Sequence, residues 1–151
     1  MAKISFARTE RSGSEKIEGR LLFLVSLHFS KHYTLEEARA LLPDVRKWLA
    51  EIEVLQEQLR LLDLRLSSLI SSGDDVGGET VNTSIKTQAK LQGALWEFES
   101  RSIQVKDLER GLIDFPALRN GKEILLCWEK DEDDIEFWHD LESGYPGRER
   151  L

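Results

Sequence analysis

The chain has 151 residues, 40% hydrophobic and 32% charged, enough for one compact domain with its own core and too few for several. A formal charge of −7 with a pI near 5.1 argues against nucleic acid as a partner, because a phosphate-binding surface needs clustered Lys and Arg. The single cysteine, Cys127, rules out a disulfide within one chain and points to a reducing, cytoplasmic setting.

Residues 1–20 are polar and without period, which predicts a weakly held tail. The longest apolar run, "LLFLVSLHF" from Leu21 to Phe29, is interrupted by Ser26 and His28. It falls well short of the about 20 residues that a membrane span needs, so no membrane contact is expected. Acids among the preceding basic residues, and no small-residue cleavage site after it, speak against a signal peptide. The expected organisation is an N-terminal extension over 1–32 and a single domain over 33–151.

Thr34 followed three residues later by Glu37 is a capping box, so a helix is predicted from Thr34, with Pro43 either kinking it or opening a second one. Val45, Trp48, Ile52, Leu55, Leu59, Leu62, Leu66 and Leu69 then recur at spacings of three and four. That is a heptad seam, the mark of a coiled-coil-like helix reaching Ile70, about 55 Å in all. "SSGDDVGGETVN" reads as a loop, and a second helix is predicted from about Ser84 to Lys106, folded back as an antiparallel hairpin.

After Gly111 the period becomes that of strands. "LIDFPA", "EILLCW" and "IEFWH" predict a small three-stranded antiparallel sheet, the first two joined by a two-residue turn at Asn120-Gly121. The fold class is therefore α+β, mainly α: a long helical hairpin with a small C-terminal sheet. Burying eight seam side chains at about 1.5–3 kcal/mol each amounts to roughly 12–24 kcal/mol of gross burial. The shorter second helix cannot cover all of it, so the extension Leu21–Phe29, the sheet or a second copy of the chain must cover the rest, and a homodimer is the favoured expectation.

Polar residues gather near the C-terminal sheet: Lys106, Asp107, Asp114, Cys127, His139, Glu142 and Arg148. Asp107, Asp114, Cys127, His139 and Glu142 are of metal-ligand type, with Asp114, His139 and Glu142 the candidates, but they sit in no tight ligand motif, so no metal is assigned. Cys127 lies in mid-strand among large apolar residues, as an inert core thiol does, and no residue is assigned as catalytic. Lys106, Arg110 and Arg148 offer an anion clamp. The structural alternative is that Arg148 pairs with Asp107, Asp114 or Glu142 and pins the tail. Trp128 and Trp138 are expected to pack the sheet.

Three segments, "YTLEEARALLPDVR", "VKDLERGLIDFPA" and "GKEILLCWEKDEDDIEFWHDLESGYPGR", occur in that order. Together they resemble an uncharacterised prokaryotic family, domain of unknown function 2203, over about Tyr33 to Arg148. The resemblance implies a helical hairpin with a small C-terminal sheet and brings no activity, substrate or cofactor with it. Two departures stand out: the first thirty or so residues are additional to the pattern, and Asp131 stands where the family places a glycine in the turn before the last predicted strand. The leading expectation is thus a small protein acting through protein–protein contact. The alternative is a small-molecule or metal-binding protein, even an enzyme, with its site at the sheet.

Overall fold

The computed structural model describes residues 27–74 and 78–151. The expected tail over 1–20 and most of the apolar run after it lie outside the described residues. Helix α1 runs from Leu35 to Ser72, with the Thr34–Glu37 capping box closed in both directions. Pro43 lies inside this one continuous helix. The carbonyl it leaves without a donor belongs to Arg39, and both residues are exposed, so the missing bond falls on the solvent side of the helix. The helix ends where Gly73 turns left-handed at φ 76°, and Asp74 N–H reaches back to the Leu69 carbonyl.

Helix α2 spans Glu79–Glu99, beginning and ending earlier than the sequence suggests. Its stop is a left-handed Ser102 at φ 59°, with Ile103 N–H donating to the Phe98 carbonyl. That closure normally uses glycine. The residues it releases form strand β1, Gln104–Asp107, so Val105 sits in a strand and not on a helix face.

Four further strands follow: β2 (Leu112–Arg119), β3 (Lys122–Trp128), β4 (Phe137–His139) and β5 (Glu149–Arg150). They form one antiparallel meander in the order β1-β2-β3-β4-β5. The sheet therefore has five strands and not three, the additions being its two edges. Asn120 and Gly121, at φ 52° and 76°, make the tight β2–β3 turn that puts Arg119 opposite Lys122. Pro116 is tolerated in β2 because β1 has already ended beside it. Its carbonyl accepts Tyr33 N–H at 2.7 Å, so its polar edge faces away from β3 and no ladder bond is lost.

The two faces of the sheet separate by register. Ile113, Phe115 and Ala117 lie opposite Trp128, Leu126 and Ile124, and Leu126 lies opposite Trp138. This face packs on Val45, Leu49, Ile52 and Phe98 of the helices as one core. Trp128 is fully buried there, and Trp48 meets Phe98 edge-on at 5.3 Å. Leu112, Asp114, Pro116, Leu125, Cys127 and His139 point the other way, yet all are buried as well.

Candidate functional site

Asp114, Cys127 and His139 meet on that second face because β2, β3 and β4 are consecutive neighbours. Asp114 lies opposite Cys127, and His139 opposite Leu125, one step along the same face of β3. Each is at most 3% exposed. His139 Nε2 stands 3.2 Å from Asp114 Oδ2, and its Nδ1 stands 2.6 Å from the Asp140 carbonyl. A carbonyl only accepts, so Nδ1 carries a hydrogen and donates it. Nε2 and Oδ2 therefore share one proton between them. Among the described residues, Asp114 Oδ1 is buried with no hydrogen-bond partner. Burial, together with the Asp114 carboxylate beside it, pushes the Cys127 thiol well above its ordinary range. That is the opposite of what a thiolate nucleophile requires.

The remaining polar residues serve other ends. Asp107 Oδ1 accepts Arg110 N–H at 3.0 Å and closes the β1–β2 turn. Lys106 and Glu142 are exposed, and Glu142 N–H donates to Asp140 Oδ1 at 3.1 Å. Arg148 is pinned, but by partners the sequence did not suggest: its Nη2 donates to Glu132 Oε1 and Oε2 at 2.6 and 2.8 Å, with Glu129 at 3.9 Å. Its guanidinium lies 4.2 Å from the Phe137 ring centre and 4.8 Å from that of Tyr145. Arg110 is paired likewise with Glu129, at 2.8 Å.

The turn carrying those acids closes with Glu132 N–H on the Glu129 carbonyl at 2.8 Å. Among the described residues only Ser102 and Asn120 are non-glycine positions with positive φ, so Asp131 in this turn takes an ordinary backbone and needs no glycine. Sequence reasoning missed the part α1 plays here. Arg46 donates to the Lys130, Glu132 and Asp133 carbonyls at 2.9, 2.7 and 3.4 Å, and Arg39 holds Asp134. Nothing in their spacing marks them out from other helix-surface arginines.

Among the described residues, none of the grooves of about 450–700 Å³ opens onto the buried trio. A groove of about 450 Å³ beside α1 is lined by Arg46, Ile52, Glu53, Leu108 and Lys130, and one of about 700 Å³ beside α2 by Leu95, Phe98, Gln104 and Lys106. Neither is lined by a member of the trio.

The predicted seam divides along its length. Val45, Ile52 and Leu55 are buried and Trp48 is partly so, whereas Leu59, Leu62, Leu66 and Leu69 are only half-covered by α2. A second apolar line on α1 is open: Val54, Leu61 and Leu64 are 57%, 52% and 58% exposed, and on α2 Ile85 and Trp96 are 60% and 61% exposed. Among the described residues no helix is long and apolar enough to cross a membrane.

No curated protein and no solved structure matches the chain. A family model does match, over residues 31–151, which takes in the helical hairpin, the whole sheet and the buried trio. The chain accordingly belongs to the family described as an uncharacterized conserved protein, DUF2203.

Proposed function

We propose that this protein acts through protein–protein contact, and that a second copy of the chain docks along the outer half of its hairpin. The observation that carries the reading is the open line of Val54, Leu61 and Leu64. Val54 and Leu61 are one heptad apart and so stand one above the other, with Leu64 a turn further on. The sheet packs on the inner half of α1, through Ala38 to Ile52, and among the described residues the outer half has only α2 beside it. Two helices side by side bury one stripe each, and bundles of four are the usual way to cover the rest.

Charge favours a like partner. The flanks Leu55–Ser72 and Glu79–Ala94 carry Glu57, Asp63 and Glu79 against Arg60, Arg65, Lys86 and Lys90, a near balance on a chain whose total is −7. The strip is about 27 Å long and two helix diameters wide. With side-chain relief counted, that approaches the roughly 800 Å² per partner of an ordinary interface. Pairing of two hairpins would extend the seam into a coiled-coil-like four-helix bundle. Cys127, buried and unpaired, suits a reducing compartment such as the cytoplasm.

Sedimentation velocity on the full chain tests the reading. A dimer is expected, and Leu61→Glu with Leu64→Glu is expected to give monomers. Folding stability should stay within about 0.5 kcal/mol, since both side chains are exposed in one chain. A wild-type monomer at tens of micromolar, or a dimer untouched by the double substitution, overturns it.

A further inference from the structure

The structure assigns a second property to this chain, independent of its self-association: Asp114, Cys127 and His139 form a buried binding site for one borderline-soft divalent ion of the zinc type. The residues that provide it are not the set the sequence suggested, because Cys127 takes the place of Glu142. Their candidate ligand atoms, one carboxylate oxygen, Sγ and Nε2, all lie within 4.8 Å of one another. A zinc-type ion holds nitrogen and oxygen at about 2.0–2.2 Å and sulfur at about 2.3 Å in a tetrahedron, which sets ligand separations of roughly 3.3–3.6 Å. The 3.2 Å between His139 Nε2 and Asp114 Oδ2 is close to such an edge. The sulfur, within 4.8 Å of the other two atoms, has at most roughly 1.2–1.5 Å to close.

Three features separate this trio from a chance cluster of polar side chains. The first is Asp114 Oδ1, an oxygen of a buried carboxylate that has no hydrogen-bond partner among the described residues. Such an atom is costly without a partner, and an ion on this carboxylate supplies one. The second is the orientation of His139. Its Nδ1–H is held by the Asp140 carbonyl at 2.6 Å, which leaves Nε2 as the ligand atom directed at Asp114. Metal-binding histidines are normally set this way, by a hydrogen bond to the other ring nitrogen. The third is the donor set. Sulfur, imidazole and carboxylate together select zinc, cobalt or ferrous ions, and not calcium or magnesium, which take oxygen.

Charge balance supports the assignment. Without the ion the trio carries a thiol and one proton shared between Asp114 and His139, for a net charge of zero. Binding forms bonds from the ion to Sγ, Nε2 and the carboxylate, and releases the thiol proton and the shared proton to solvent. The holo site, with two anionic ligands, one neutral imidazole and M²⁺, is again neutral. Two protons exchange for one dication, so the ion enters a buried place without adding net charge to it.

Cobalt(II) is the probe, because its visible and near-ultraviolet spectrum reports tetrahedral geometry and thiolate ligation directly. The full chain is refolded with excess Co²⁺, desalted, and analysed for cobalt content and absorption. One Co²⁺ per chain is expected, with a thiolate-to-metal charge-transfer band and strong d–d bands, and X-ray absorption at the cobalt edge should count one sulfur ligand. Cys127→Ser, kept only if its circular dichroism is native, should lose the charge-transfer band and weaken Co²⁺ binding by roughly 100-fold or more, beyond the usual cost of losing an outer-shell partner. Glu142→Ala should change neither. Failure of the refolded wild-type chain to retain cobalt, or retention with no sulfur ligand, overturns the assignment. Because the sulfur count is made on the wild type, it stands whether or not any variant folds.

Discussion

Arg148→Ala separates the two roles that this residue invites. If Arg148 is a structural pin, the substitution removes two charge-assisted bonds to Glu132 at 2.6 and 2.8 Å and the stacking on Phe137 and Tyr145. The side chain is only 10% exposed, so solvent screens these contacts little. A hydrogen bond between charged groups contributes about 1.5–3 kcal/mol, and two bonds to one carboxylate are not additive. Guanidinium–ring stacking adds about 0.5–1 kcal/mol. The expected loss is therefore about 3 kcal/mol, read as a shift in the midpoint of urea unfolding, or roughly 10 °C in melting temperature for a chain of this size. Arg148→Lys should recover less than half, since a point charge replaces neither the fork nor the stacking. A loss below about 1 kcal/mol, with hydrogen exchange unchanged from Tyr145 to Arg150, would refute the pin and return Arg148 to the role of anion clamp.

Two further expectations rest on local geometry. Gly111 and Gly121 both have positive φ, 64° and 76°, yet an added Cβ at Gly121 meets nothing while at Gly111 it comes within 2.7 Å of Lys130 Cβ. Gly121→Ala should thus cost only the left-handed backbone term of about 1 kcal/mol, and Gly111→Ala at least about twice that in the same unfolding assay; equal costs would show that the Lys130 stem yields freely. The Glu123 carboxylate responds to acid. Burial pushes it up, but N–H groups of Phe29 and His28 and the His32 ring outweigh that and hold it below its ordinary value of 4.5. A lowered carboxyl stabilises the fold above the unfolded-state value and loses that contribution as pH falls through the folded one. Hydrogen exchange across Leu27–Tyr33 should therefore accelerate, relative to the intrinsic rate, only once the pH has dropped below the ordinary carboxyl value of 4.5, and in Glu123→Gln the acid step should vanish. A step that survives in Glu123→Gln would assign it to another group.

What could be read from the sequence follows from how local each signal is. The Thr34 capping box, the three–four spacing of α1 and the Asn120-Gly121 turn are complete within a few residues, and each element stands where its signal lies. The end of α2 was illegible because its left-handed closing residue is Ser102, where glycine would have marked the stop. β1 and β5 are 4 and 2 residues long, too short to show a period, and they exist through pairing with neighbours. The buried trio is non-local in the same way. No spacing along the chain links Asp114, Cys127 and His139; only the strand order β2-β3-β4 brings them to one face. The sequence favours Glu142 over Cys127 as a ligand because ligand type shows in the sequence and direction does not.

The turn between β3 and β4 explains why both ends of the molecule bear on one another. Glu132 is gripped from two sides: its carbonyl accepts Arg46 of α1 at 2.7 Å and Trp128 Nε1 at 3.0 Å, while its carboxylate accepts Arg148 of the tail. The hairpin thus fixes the backbone of the turn, and the tail fixes its side chain. If the turn were rigid by itself, Arg46→Ala and Arg148→Ala would act independently, and their costs would add within about 0.5 kcal/mol. If either grip alone leaves the turn in place and losing both frees it, the double variant must lose more than the sum. We expect the latter, with a coupling of about 1 kcal/mol, because the turn's own backbone closure is the bond from Glu132 N–H to the Glu129 carbonyl. A double-mutant cycle measured by urea unfolding decides it. Additive losses would mean that the turn holds its shape without either arginine, and that the helical hairpin and the tail are mechanically separate.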